Sequence, residues 1–369
     1  MPAYRHDDYA SEFRVRASAA WDTVAAFAKK QGPPPIAPYQ VEIHLSRDVA
    51  PVCLLRCIDC HGQFQRVKDG LTPATYLQLL DDLEEMDVQS VVLSGAYSDP
   101  STDEQLLISV LDRAGPRWGV KLHTYGLGLT PAVRAAILRA AEAGPAGSYV
   151  TISRVTMDPA VYQRMCRPVG DPTTLLQRDT DNVAALFSEN TTHPDQLVVR
   201  LNCRLTQLNR DPSDVLRWLM RVSDSASIRF TPDYVPTLAT EHYAQRFIRE
   251  VYLAPDAAEA AVEAAIAATD FPRARASFRP LASSAYAGMR CFSCLLLTTV
   301  STGGLLLPCQ GIASPAYQAL AYGDLRTERF PAAWTRFTAQ YHELPIWDCP
   351  RCVGACEQQL NTAMCEECE

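Results

Sequence analysis

The sequence lacks any run of eighteen or more uninterrupted apolar residues, so no segment reads as a membrane-spanning helix. Its opening residues, Met-Pro-Ala-Tyr-Arg-His-Asp-Asp, contain no apolar core of a secretion signal, and the expectation is a cytoplasmic protein. Basic excess is missing too. Thirty-four basic residues face 42 acidic ones, a net charge of −8, which argues against a nucleic-acid partner. Lysine is scarce, limited to Lys29, Lys30, Lys68 and Lys121, a bias of the kind a GC-rich coding sequence produces. The seven histidines show no paired-ligand spacing, and neither a phosphate-binding glycine loop nor a nucleophile elbow occurs. Disorder is excluded by composition: 47% of 369 residues are hydrophobic and 21% charged, enough for a large domain and a smaller one.

Cysteine, by contrast, is abundant. Of thirteen, three sit at Cys53, Cys57 and Cys60 and eight lie between Cys291 and Cys368, leaving Cys166 and Cys203 alone. In a reducing compartment such clusters point to metal binding or redox chemistry rather than disulfides.

Residues 1–40 read as one helix, about Asp8 to Lys30, closed by Gly32 and Pro33-Pro34-Pro35. Strand signals then recur at 41–46, 90–94, 120–124, 149–153, 197–205 and 227–230, with helical patterns between them. Thr72-Pro73, Thr130-Pro131, Asp158-Pro159 and Asp211-Pro212 each place a capping side chain before proline at the first helical position. Ser101 with Glu104 reads as a capping box. Six strand–helix repeats predict a parallel α/β domain over 41–255, open or closed into a barrel. A helical linker over 256–290 and a small cysteine-rich domain over 291–369 complete the expected organisation.

Cys53-Leu-Leu-Arg-Cys57-Ile-Asp-Cys60 has CxxxCxxC spacing and follows the first strand of that domain, at the end where α/β domains build active sites. Three thiolates on one loop suit three irons of a [4Fe–4S] cluster and leave the fourth iron open. The alternatives are zinc, with His61 as a fourth ligand, or free thiols.

This loop resembles that of the radical S-adenosylmethionine (SAM) superfamily. The resemblance implies a partial (β/α)6 TIM-like barrel in which SAM chelates the open iron. It also implies reductive cleavage of SAM to a 5′-deoxyadenosyl radical, and an electron donor such as flavodoxin or ferredoxin. Where the family carries Gly-Gly-Glu-Pro, this chain has Ser94-Gly95-Ala96-Tyr97-Ser98-Asp99-Pro100, so the resemblance puts Ser94, Gly95 and Asp99 at SAM, with altered spacing. Thr124-Tyr125-Gly126 is similar to the family's Thr-Asn-Gly, which implies Thr124 near the ribose, and Ser153 matches a hydroxyl position on the next strand. Asp59 departs from the aromatic residue common before the third cysteine. Arg200, Asn202 and Arg204 share one face by strand alternation, either lining the lumen toward SAM or substrate or merely ion-paired or solvated.

In the tail, Cys291-Phe-Ser-Cys294 and the C-x9-G-x4-C spacing to Cys309 resemble the start of the SPASM and twitch extensions, which hold auxiliary [4Fe–4S] clusters. The later spacing through Cys349, Cys352, Cys356, Cys365 and Cys368 departs from the SPASM pattern. Eight thiolates suffice for two clusters; by analogy Cys291, Cys294, Cys309 and Cys356 would share one, and Cys349, Cys352, Cys365 and Cys368 the other. Cys349-Pro-Arg-Cys352 also reads as a zinc knuckle. Some radical SAM epimerases return hydrogen from a thiol, which makes Cys166 a candidate donor, although inert burial is the simpler reading for it and for Cys203. The expected function is oxidation, dehydrogenation or epimerisation of a small polar natural-product substrate (sugar, aminocyclitol or nucleoside). The first 40 residues read as too short for a winged leader-binding domain, which tilts against the alternative, peptide maturation. A zinc-binding protein without catalysis is a third reading.

Overall fold

In a computed structural model the described residues are 5–6, 9–46, 53–58, 70–95, 98–192, 195–232, 250–279, 291–308, 320–344, 360–361 and 363–364. The chain forms two compact units that interleave in sequence: Met1–Asp7, Ala50–Gln63 and Tyr97–Leu281 in one, and Asp8–Val49, Phe64–Ala96 and Ala282–Glu369 in the other.

The first unit alternates strand and helix. Its strands are β1 (Arg5–His6), β4 (Lys121–Thr124), β5 (Ser148–Ser153), β6 (Leu197–Leu205), β7 (Ser227–Pro232) and β8 (Ala276–Phe278). They run parallel in the order β1-β8-β7-β6-β5-β4. Parallel strands need crossovers, supplied by α4 (Glu104–Trp118), α5 (Pro131–Ala143), α6 (Pro159–Cys166), α7 (Pro172–Glu189), α8 (Ser213–Val222) and the helix Pro255–Thr269. Alternation sorts β6 cleanly: Val199, Leu201 and Cys203 are buried, whereas Arg200, Asn202 and Arg204 on the other face are half-buried. Strand β8 falls in the stretch expected to be a helical linker, and at three residues it is too short to show a period.

The second unit carries β2 (Gln40–His44) and β3 (Ser90–Ser94), with β9 (Leu297–Val300), β10 (Leu305–Leu307) and β11 (Gly323–Asp324), in the order β3-β2-β9-β10-β11. Strand β2 is parallel to both neighbours, and β10 is antiparallel to β9 and β11. The expected single N-terminal helix is two, α1 (Tyr9–Arg16) and α2 (Ser18–Ala28), parted at Ala17, whose φ of −112° and ψ of 25° leave the helical region. Helix α3 (Pro73–Glu85) buries Asp82, which accepts from Arg329 and, at 3.3 Å, from the Phe330 N–H opening the helix Phe330–Gln340. Trp334 of that helix donates its indole N–H to the Pro35 carbonyl at 3.0 Å.

Three of the four expected Thr-Pro and Asp-Pro caps form, at Thr72, Thr130 and Asp158. Asp211 instead accepts from the Ser213 N–H and hydroxyl, with Pro212 outside helix α8. The Ser101–Glu104 capping box does not form. Asp103 caps α4 by accepting from the Leu106 N–H, and Ser101 lies in a preceding 3₁₀ turn, Pro100–Thr102, capped by Asp99.

Candidate functional site

The cysteine loop is described from Cys53 to Ile58, and Cys60 lies outside the described residues. In the first unit this segment is fastened to the end of α6 and the residues just after it by three backbone hydrogen bonds. The Arg56 N–H donates to the Cys166 carbonyl at 2.7 Å, Ile58 to Met165 at 2.9 Å, and the Val169 N–H to the Leu54 carbonyl at 2.9 Å. Helix α6 ends at Arg167 in the left-handed region (φ 44°), which frees these last carbonyls for the loop. Its start is fixed by Asp158, which accepts from Ala160 and Val161 N–H groups at 2.7 and 3.3 Å.

Cys57 is buried and Cys53 half-buried, against an apolar cluster that includes Leu55, Leu127, Val155, Tyr162, Met165 and Cys166. The Leu55 N–H points to Cys53 Sγ at 3.3 Å, and Cys57 Sγ lies 3.2 Å from the Tyr125 hydroxyl. Among the described residues no group of three or more His, Cys, Asp or Glu gathers as a metal centre, the third cysteine being outside them. The donor set that is described, two soft thiols in a low-polarity pocket with an N–H aimed at one sulfur, fits an iron–sulfur cluster.

Asp99 organises the adjoining turn. Its carboxylate accepts from the Ser101 N–H and hydroxyl (2.8 and 2.5 Å), the Thr124 hydroxyl (2.7 and 3.0 Å) and the Tyr125 N–H (2.5 Å). The expected site residues Asp99 and Thr124 are therefore in direct contact, engaged with each other. Gly126 adopts φ +102°, and a Cβ there would meet Asp179 Oδ1 at 2.5 Å, so glycine is required. Helix α7 supports the turn from the other side, Asn182 donating to the Gly126 and Leu127 carbonyls at 3.3 and 3.2 Å.

Ser153, Arg200, Asn202 and Arg204 line one face of β5 and β6, with Ser153 and Asn202 in register. Arg200 donates through Nε to the Thr151 hydroxyl at 2.8 Å and lies 4.6 Å above the Tyr149 ring. Cys166 is buried in the apolar cluster beside Cys57. Cys203 is fully buried, and burial pushes its thiol pKa well up, consistent with an inert side chain. In the second unit Ser94 ends β3, its carbonyl accepting from the Leu45 N–H at 3.0 Å, and Gly95 follows it. Tyr76 braces the exit of β2, accepting from the Ser46 N–H and lying within 3.2 Å of the His44 carbonyl and 3.0 Å of that of Ser46.

Of the tail cysteines only Cys291 and Cys294 are described. The Cys294 thiol donates to the Cys291 carbonyl at 3.0 Å, and Cys291 Sγ lies 3.1 Å from the Ser293 hydroxyl. Hydrogen bonding from Cys294 and then Ser293 brings the Cys291 thiol down to about 7 against the opposing effect of burial. Tyr341 donates to the Cys291 carbonyl at 2.8 Å. Cys309, Cys349, Cys352, Cys356, Cys365 and Cys368 lie outside the described residues.

Sequence reasoning missed two features. One is the Tyr125–Cys57 contact, for which the sequence carries no signal beyond the tyrosine's place in Thr-Tyr-Gly. The other is the buried pair of Arg154 and Asp179, with Nη1 to Oδ2 at 3.0 Å. Asp179 interrupts the apolar stripe Leu175, Leu176 and Val183 of α7, and that interruption was legible. Burial foremost, and then Asp99, raise the Asp179 carboxyl to about 7 against the lowering effect of Arg154.

No family profile matches the chain, and no curated protein matches it by sequence. Solved structures do match. Streptococcus suis SuiB bound to its precursor peptide SuiA superposes with a TM-score of 0.58 at 13% identity, over 84% of this chain and 66% of SuiB. SuiB bound to S-adenosylmethionine gives 0.56 at 13% identity over 81% and 65%. The protein anSMEcpe with bound AdoMet gives 0.53 at 12% identity over 84% and 83%. This chain thus spans just under two-thirds of the length of SuiB. This chain has their fold, a partial TIM-like α/β barrel.

Proposed function

We propose that this chain is a radical SAM enzyme whose Cys53, Cys57 and Cys60 hold a [4Fe–4S] cluster. The observation that carries this reading is the cysteine loop pinned to the end of α6, in a chain with the fold of two proteins solved with SAM bound. Such a cluster supplies the electron that splits SAM into methionine and a 5′-deoxyadenosyl radical, which takes hydrogen from the substrate. The protein's own part is to hold the loop rigid, direct the Leu55 N–H at the Cys53 sulfur, and fix the Thr124–Gly126 turn through Asp99. Ser94, Gly95, Asp99, Thr124 and Ser153 are the proposed SAM contacts. The polar face of Arg200, Asn202 and Arg204 suits SAM or a small substrate rich in hydroxyl or anionic groups, such as a sugar, aminocyclitol or nucleoside, to be oxidised or epimerised. In the tail, the Cys291–Cys294 turn and the six remaining cysteines are proposed to hold two auxiliary [4Fe–4S] clusters, and flavodoxin or ferredoxin to deliver electrons.

Peptide maturation is the second reading, favoured by the likeness to SuiB bound to a precursor peptide. The two separate by substrate: a peptide encoded beside this chain's gene would gain a mass change under turnover conditions in one case and none in the other. The core assignment is tested by Cys57→Ala. The variant is expected to lose 5′-deoxyadenosine formation by at least about 100-fold, ~2.7 kcal/mol at the transition state, while keeping tail iron. Undiminished SAM cleavage would overturn the assignment.

A further inference from the structure

Two backbone segments, each with backbone hydrogen bonds of its own, meet in the first unit, where Tyr125 of one reaches Cys57 of the other. The cysteine loop is held by the Arg56–Cys166 and Ile58–Met165 backbone bonds. The Thr124–Gly128 turn is held by Asp99, which takes the Tyr125 N–H at 2.5 Å, and by Asn182. Gly128 admits no Cβ, since one there would collide with the Ser101 carbonyl oxygen. The result is the Tyr125 hydroxyl 3.2 Å from Cys57 Sγ, across 68 residues of sequence. Sulfur contacts of this length are hydrogen bonds, and with a thiolate at Cys57 the phenol is the donor.

We infer that Tyr125 is a positioning residue for the cluster: its hydroxyl donates to the Cys57 thiolate and raises the reduction potential of the iron–sulfur centre. This rests on the reading of the loop as a cluster site. Reduction adds negative charge spread over iron and sulfur, and a donor dipole aimed at one sulfur stabilises the reduced form more than the oxidised one. Loss of the hydroxyl therefore makes the cluster harder to reduce. The ring itself packs on the apolar cluster around Cys57, so phenylalanine preserves the volume and the shielding from water.

The test is Tyr125→Phe in the full chain, reconstituted anaerobically, with the potential read by electron paramagnetic resonance from the signal that changes when SAM is added. Iron and sulfide per chain should match the wild type. The reduction equilibrium should fall by about tenfold, or ~59 mV for one electron. Tyr162→Phe is the control. The Tyr162 hydroxyl is buried in the same apolar cluster with no hydrogen-bond partner among the described residues, and its loss should leave the potential in place. An unchanged potential in Tyr125→Phe at full iron content would overturn the inference alone, as would equal shifts in both variants. A wild-type protein that takes up no iron would overturn the cluster assignment itself, and with it the inference.

Discussion

Asp99 shows how one carboxylate shapes a turn that the sequence only half reveals. Its place near a proline after a strand was legible, but its partners were not, because they come from Ser101, Thr124 and Tyr125, up to 26 residues away. Gly128 is the steric counterpart. Gly128→Ala forces backbone against backbone and should cost about 3 kcal/mol, the upper end for overpacking, as measured by urea unfolding. Asp179 adds a pH dependence. Its carboxyl ionises near 7 when folded and near the ordinary 3.8 when unfolded, so between those values the folded state keeps a proton the unfolded state has lost. Its contribution is thus full below about pH 4, declines as pH rises toward 7, and is flat above. Asp179→Asn should abolish this slope in denaturation midpoints taken from pH 4 to 8. Stability at pH 8, where the folded carboxyl is ionised, should drop as well, since Arg154 then stays buried without its counter-charge. A slope that survives the substitution would assign it to another group.

At the scale of elements, the strands were the most readable part. Hydrophobic alternation in β6 separates Val199, Leu201 and Cys203 from Arg200, Asn202 and Arg204, and the burial pattern follows it. Helix starts were legible where a capping side chain precedes proline, and failed at Asp211 and Ser101, where the same residues bond locally in turns instead. The break at Ala17 and the short strand β8 left no trace, since neither changes the hydrophobic period over enough residues. Helix α6 links local structure to the site, because its last carbonyls hold the cysteine loop. Asp158→Ala removes its cap and should cost about 1 kcal/mol of stability by urea titration. Within error of the wild type, the cap would be shown to contribute nothing.

At the scale of the whole molecule, no helix among the described residues is long and apolar enough to cross a membrane, and the fold is shared with two proteins solved with S-adenosylmethionine bound. The cysteine spacing foretold that fold because it is local and chemically constrained. A substrate site leaves a weaker trace in the sequence, because it is built from side chains brought together from separate strands and loops. The most direct test of the central claim is the content of iron, sulfide and zinc per chain after strictly anaerobic purification. Three [4Fe–4S] clusters predict ~12 irons and ~12 sulfides with no zinc. A colourless protein carrying zinc in place of iron would contradict the account.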